Sequence, residues 1–383
     1  MGGVKQRQLE LESRNLNNIP NKSICSNHFE DKYITRFIRN NYKNGYCDYC
    51  EKDLKVISME ELLDFIMDSI SVFYEDAANF MSYDSSQGGY LGETFTPNEL
   101  IQELVELDAT PFEVIEDIID SIEDIAWADP NMYYDNIDDE LKYEWNFFKN
   151  IIINKSRYLF YTNGTSNSKA YNILKEVGKL INNLKLISIF PKGTKVLRCR
   201  QHKIKNEITE FHQITSPPNE YSLYPNRFSP SGISMFYCAF DKETAIKETV
   251  SREDKSKKYV TIGEFETKDD FYVIDFTKLP KIESIFGIKN KNKYYLKLFI
   301  YSLVNDLTKK ISKDGREHID YVPTQVVTEY FRYPFNKNRK NKISGILYPS
   351  SQNKGEKSLV FFWDNKESEL EVQLNSIKCE RIK

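Results

Sequence analysis

The 383-residue chain has no run of about 18 apolar residues, so no segment reads as a membrane-spanning helix. Its first residues, MGGVKQRQLELESRN, lack the apolar stretch of a signal peptide. Gln6 stands where a myristoylation signal prefers Ser or Thr, which argues against a lipid anchor. These gaps lead to the expectation of a cytoplasmic protein with no membrane partner. Cysteine is scarce: six residues with one close pair are too few for a disulfide scaffold in a chain this long, and metal or thiol chemistry is the better reading. Histidine is scarcer still, with His28, His202, His212 and His318 the whole supply.

Charge is abundant and unevenly spread. The net charge of −4 conceals residues 51–150, which hold 26 Asp and Glu against 4 Lys and Arg, so the remainder carries a net +18. An acidic module facing a basic one, or a basic part that handles an anionic ligand, would produce this split, as would a merely well-solvated acidic face. The length leaves room for two or three domains.

Cys25-x2-His28 is followed after eighteen residues by Cys47-x2-Cys50. Two short-spaced pairs at this separation close a tetrahedral zinc site, each pair gripping the ion from a tight turn. The four ligands leave no open position, so the expected zinc is structural; the alternative is reduced thiols in a helical hairpin. From Ser58 the apolar residues Met59, Leu62, Leu63, Ile66, Met67 and Ile70 recur at helical spacing behind a Ser58/Glu61 capping box. Thr96-Pro97-x-Glu99 opens a second helix, a third follows Thr110-Pro111, and residues 140–161 form another. Residues 162–169, TNGTSNSK, are the best linker candidate, which divides the chain into an acidic helical part, 1–165, and a second part, 166–383.

Beyond Leu186 the texture changes to short β-branched and aromatic runs. Strands are expected at 186–190, 194–200, 234–240, 259–265, 271–276, 344–348 and 358–363, with helices at about 293–311 and 322–331. The fold class is α+β. Within this part the stretch RFSPSGISMFYCAFDKETAIKE, residues 227–248, combines an arginine suited to phosphate, a Pro230–Gly232 turn, an apolar strand and a helix capped by Asp241 that carries Glu248. Taken alone it is equally a turn, a core strand and a solvated helix.

Four motifs in order resemble the RES domain: Arg198 and Arg200 in Lys195-Val-Leu-Arg-Cys-Arg, then Asn226-Arg227-Phe-Ser-Pro-Ser-Gly232, then Phe236-Tyr237, then Glu243-Thr244-Ala245-x-x-Glu248. The amino-terminal half, with Cys25, Cys47-Asp-Tyr-Cys50, Trp145 and Arg157-Tyr-Leu-Phe, resembles the HEPN-type helical module that precedes some RES domains. The resemblance implies a NAD-consuming toxin with an ADP-ribosyltransferase-like mixed sheet, cleaving the nicotinamide–ribose bond. Carried over, it assigns catalysis to Arg198, Tyr237, Glu248 and Thr324, and NAD contacts to Arg198, Arg227, Tyr237 and Ser351. The family serine matches Thr324 in Pro323-Thr324, with Ser350 and Ser351 as the other candidates. HEPN nucleases place a His four to six residues after an Arg; Arg157 has none, so no ribonuclease activity is expected.

Glu248 would accept from the ribose 2′-hydroxyl and favour the developing oxocarbenium charge, while the arginines take the pyrophosphate and Tyr237 the nicotinamide ring. Water, phosphate or a protein side chain would be the acceptor, giving a glycohydrolase, a phosphorylase or an ADP-ribosyltransferase. Expected partners are NAD, an antitoxin or other regulatory protein in bacterial defence, and a second copy of the chain. The reading from another class is a nucleic-acid-binding module in which the zinc hairpin and the lysine-rich segments 251–258 and 336–342 grip phosphates.

Overall fold

The computed structural model describes residues 2–86, 88–133, 135–158, 167–250, 256–311 and 315–382. Residues 162–166 of the expected linker, Leu159 and Phe160 of the Arg157 motif, and 251–255 of the first lysine-rich segment lie outside the described residues. Two compact units are present: Met1–Asp138 with Lys281–Lys297, and Asp139–Pro280 with Leu298–Lys383. This division lies upstream of the expected 165 boundary. Among the described residues no helix is long and apolar enough to cross a membrane.

The first unit is helical, as its periodicity requires, with helices α1 (Gly2–Glu12), α2 (Lys32–Asn41), α3 (Met59–Ile70) and α4 (Glu113–Ser121). The expected capping box of Ser58 with Glu61 opens α3, and Thr96 with Glu99 forms a further one that opens Pro97–Glu99, which continues as a π turn over Leu100–Leu104. The three-four stripe of α3 is buried throughout, among Ile24, Ile34, Ile57, Val114, Ile118 and Trp127. Phe286, from the Lys281–Lys297 segment, joins the same core and draws that segment into this unit. The helices are accompanied by an antiparallel three-stranded sheet ordered β1-β3-β2, of β1 (Ser23–Cys25), β2 (Lys43–Cys47) and β3 (Lys52–Ser58). Its lysine-rich strands are half exposed, so they lack the apolar runs by which the later strands are recognised.

The second unit holds an eight-stranded mixed sheet. In chain order the strands are β4 (Ile187–Phe190), β5 (Lys195–His202), β6 (Phe236–Ala239), β7 (Tyr259–Thr267), β8 (Phe271–Asp275), β9 (Ile343–Pro349), β10 (Lys357–Phe361) and β11 (Val372–Arg381). Their order across the sheet is β11-β7-β5-β6-β10-β9-β8-β4, and only the β8–β9 pair is parallel. All seven expected strands are present. β11 was not anticipated, because VQLNSIKCER is polar at an edge and buries only Val372 completely. Helices α5 (Ile137–Asn154), α6 (Asn167–Asn183), α7 (Lys242–Thr249), α8 (Lys291–Thr308) and α9 (Val322–Arg332) complete the frame, α8 having its first turns in the other unit.

One face of the sheet packs Phe190, Val196, Phe236, Phe265, Phe271 and Phe361, with Phe361 stacked on Trp363 at 3.8 Å between ring centroids. The β9–β10 pairing that carries Phe361 tolerates no side chain at Gly345, where a Cβ would stand 2.5 Å from the Val360 carbonyl oxygen. Gly345→Ala is therefore expected to destabilise by about 1–3 kcal/mol, the usual cost of overpacking. Thermal melting by circular dichroism checks this; an unchanged Tm would mean the ladder yields without strain.

Candidate functional site

Residues 227–248, together with Arg198, lie in the second unit. Arg198 lies on β5. Its Nε donates to the carbonyls of Ile214 (3.0 Å) and Thr215 (3.2 Å), and its Nη1 to the carbonyl of Tyr237 (2.8 Å). The guanidinium lies 5.4 Å from the Phe236 ring centroid. Burial, then the nearby charge of Arg200, bring its pKa down to about 10, so it stays cationic at neutral pH. Two of its three nitrogens, Nε and Nη1, are engaged by carbonyls.

Tyr237, on β6, fastens the strand to the loop before it: its hydroxyl accepts from the Phe228 N–H at 3.2 Å and bonds Ser229 Oγ at 3.0 Å. Burial pushes the phenol up to about 12, so it is neutral. Gln325 of α9 holds the same loop, donating to the carbonyls of Asn226 (2.8 Å) and Ser229 (3.2 Å). Gly232 has φ +84°, the left-handed region that favours glycine, and its N–H closes the loop on the Ser222 carbonyl at 2.7 Å.

Arg227 projects from this loop. Its Nη1 donates to the carbonyls of Leu307 (3.0 Å) and Lys309 (2.7 Å) at the end of α8, and its Nη2 to Ser351 Oγ at 3.1 Å. The guanidinium stands 5.8 Å from the Tyr321 ring centroid. Glu248 lies two turns into α7, which Asp241 caps by accepting from the Thr244 N–H at 2.8 Å. The glutamate is exposed, yet its Oε1 accepts from Ser350 Oγ at 2.5 Å and from Ser358 Oγ at 3.5 Å.

Ser350 and Ser351 thus hold the carboxylate and the guanidinium from adjacent positions of one turn after β9. Ser350 Oγ in turn accepts the N–H groups of Gln352 (3.2 Å) and Asn353 (3.1 Å), and Asn353 bonds Thr244 and Lys247 of α7. The turn and the helix are consequently one rigid piece. Tyr348, buried and 4.7 Å from the Phe228 ring, has its phenol pushed well above its ordinary range by burial and then by the Glu248 charge. Thr324 is buried on α9; its carbonyl accepts from Thr328, and among the described residues its hydroxyl bonds neither Arg227 nor Glu248. Ser358, Tyr348 and Gln325 were not anticipated. A serine leading directly into the buried apolar run Leu359–Phe361 of β10 was the available signal for Ser358.

In the first unit the ligand atoms of Cys25, His28, Cys47 and Cys50 all lie within 4.8 Å of one another. The Cys25 and Cys50 sulfurs are 3.9 Å apart and His28 Nε2 is 3.2 Å from the Cys47 sulfur. A tetrahedron with metal–sulfur arms of about 2.3 Å has edges of about 3.8 Å, which the Cys25–Cys50 separation matches. His28 Nδ1 donates to the Thr110 carbonyl, which fixes the tautomer and leaves the Nε2 lone pair facing the cysteines. Burial opposes the Cys47 thiolate, but the N–H groups of Cys50, Tyr49 and Cys25, with His28, bring its pKa down to about 7. Such a donor set suits a soft, four-coordinate divalent cation.

No curated protein matches the chain. Residues 40–166 match the family model described as HEPN/RES N-terminal domain 1, and residues 195–380 match that of the RES domain, which contains every residue of the Arg227–Glu248 site. The chain therefore carries a HEPN/RES N-terminal domain followed by a RES domain, the domain of a NAD-related toxin family.

Proposed function

We propose that the RES domain cleaves the nicotinamide–ribose bond of NAD, passing the ADP-ribosyl group to water or phosphate. The observation that supports this most directly is the Ser350–Ser351 turn, whose neighbouring hydroxyls bond the Glu248 carboxylate and the Arg227 guanidinium. Cleavage builds positive charge on the ribose, and Glu248, accepting from the 2′-hydroxyl, stabilises it. Arg227 supplies the positive charge for the pyrophosphate, its Nη1 protons being spent on the Leu307 and Lys309 carbonyls. Arg198 braces the floor of the site through the Tyr237 carbonyl, and Tyr237 offers its ring to the nicotinamide. Ser350, bonded to Glu248, is the hydroxyl we assign beside the carboxylate, in preference to Thr324. Nicotinamide departs neutral and needs no acid, so the absence of a histidine from this set is no obstacle. The acidic N-terminal part, residues 1–165, is proposed as the regulator of the domain 166–383, on the strength of the charge split.

Purified protein given NAD should release nicotinamide, followed by liquid chromatography, with ADP-ribose as co-product if water is the acceptor and ADP-ribose 1″-phosphate if phosphate is. Glu248→Ala should slow release about 10²- to 10³-fold while melting normally; equal rates would remove Glu248 from the mechanism. Arg227→Ala should act chiefly on KM.

We also propose that Cys25, His28, Cys47 and Cys50 hold one zinc ion in a structural role, supported by the ligand spacing and by the tautomer fixed at His28. Metal analysis of the purified chain should give one zinc per chain. Cys50→Ser should lose most of it and melt earlier, because binding energy at such a site is folding energy. A metal-free chain whose melting does not respond to added zinc would refute the assignment.

A further inference from the structure

We propose that Asp306 is a positioning residue for Arg227, and that through it helix α5 sets the anion-binding end of the RES site. Among the described residues no carboxylate holds Arg227. Its Nη1 rests on the carbonyls of Leu307 and Lys309, so the placement of the guanidinium depends on where the last turn of α8 ends. That turn is pinned by its own side chain: Asp306 Oδ2 accepts from Trp145 Nε1 at 2.7 Å and from Lys149 Nζ at 2.8 Å, both on α5, while Oδ1 accepts from Lys309 Nζ at 2.7 Å.

A carboxylate in the last turn of a helix opposes the dipole and is tolerated only with compensation. Here two ammonium groups and an indole N–H supply it around a largely buried group. Burial works against the ionised form, and these three partners outweigh it and hold the Asp306 carboxyl below its usual range. Trp145 is itself buried and stacked on Phe148 at 5.1 Å, so the indole is a fixed point. The chain of bonds then runs from α5 to Asp306, to the end of α8, to Arg227, to Ser351, whose neighbour Ser350 holds Glu248.

Helix α5 lies within residues 40–166, the stretch matched to the N-terminal family domain, yet from Asp139 onward it belongs to the compact unit that contains the RES site. The N-terminal domain thereby contributes a structural member to the site. A shift of α5 would move the Leu307 and Lys309 carbonyls, and Arg227 with them.

The substrate-based half of the test rests on the NAD reading, so the experiment includes a readout that needs no substrate. In the full chain, phenylglyoxal modification of Arg227 is measured by peptide mass spectrometry, with exposed Arg36 as reference. Asp306→Asn, and the milder Trp145→Phe, should raise Arg227 labelling several-fold and leave Arg36 unchanged. The same variants should raise the KM for NAD about tenfold with kcat little altered. In an Arg227→Ala background Asp306→Asn should add nothing further, as expected for residues that act as one unit. Unchanged Arg227 labelling in a folded variant, or additive effects on KM, would overturn the proposal. If the wild-type chain turns over no NAD, the functional reading fails and the labelling result still decides this one.

Discussion

Two neighbouring hydroxyls on one turn are the constraint on which the second unit's site depends. A carboxylate and a guanidinium left free to meet would close on each other as a surface ion pair, worth about 0–1 kcal/mol and of no use to a ligand. Here each is instead taken by its own serine, Glu248 by Ser350 and Arg227 by Ser351. The rest of the frame serves that arrangement. The turn is fixed to α7 by Asn353, the Arg227 loop is fixed to β6 by the Tyr237 hydroxyl, and β6 is fixed to β5 by Arg198.

The two arginines divide their work through desolvation. Arg198 is held by three carbonyls and is costly to bury, a cost visible in its lowered pKa. Arg227 lies at the C-terminal end of α8, where the helix dipole favours a cation. The pair thus shows two surroundings, one guanidinium buried among strand and loop carbonyls and the other seated at a helix end.

Elements with a strong local signal were readable in the sequence. The capping box at Ser58, the helix start at Thr96-Pro97 and the Asp241 cap formed as expected, because a cap is satisfied within three residues. The apolar strands β6 and β8 to β10 also stood out, since strands buried on both faces are continuous in hydrophobicity. What escaped was decided over longer range. β11 exists because β7 offers it an edge, and the Lys281–Lys297 segment belongs to the first unit because Phe286 fills that core. The choice among Thr324, Ser350 and Ser351 was open in the sequence for the same reason: only the fold determines which hydroxyl reaches the carboxylate. The spacing of Cys25, His28, Cys47 and Cys50 was legible, whereas the Thr110 carbonyl that orients His28 is 82 residues away.

The place of Phe286 has a consequence for synthesis on the ribosome. The first unit lacks part of its core until Lys297 has been made, about 160 residues after Asp138. At translation rates of about 5–20 residues per second, this leaves an apolar face uncovered for roughly 8 to 32 seconds. Over the same interval the chain has not yet produced β9 or the Ser350–Ser351 turn that follows it. The N-terminal unit and the site therefore mature late and nearly together, so a nascent chain long enough to present Glu248 still lacks the hydroxyl that anchors it.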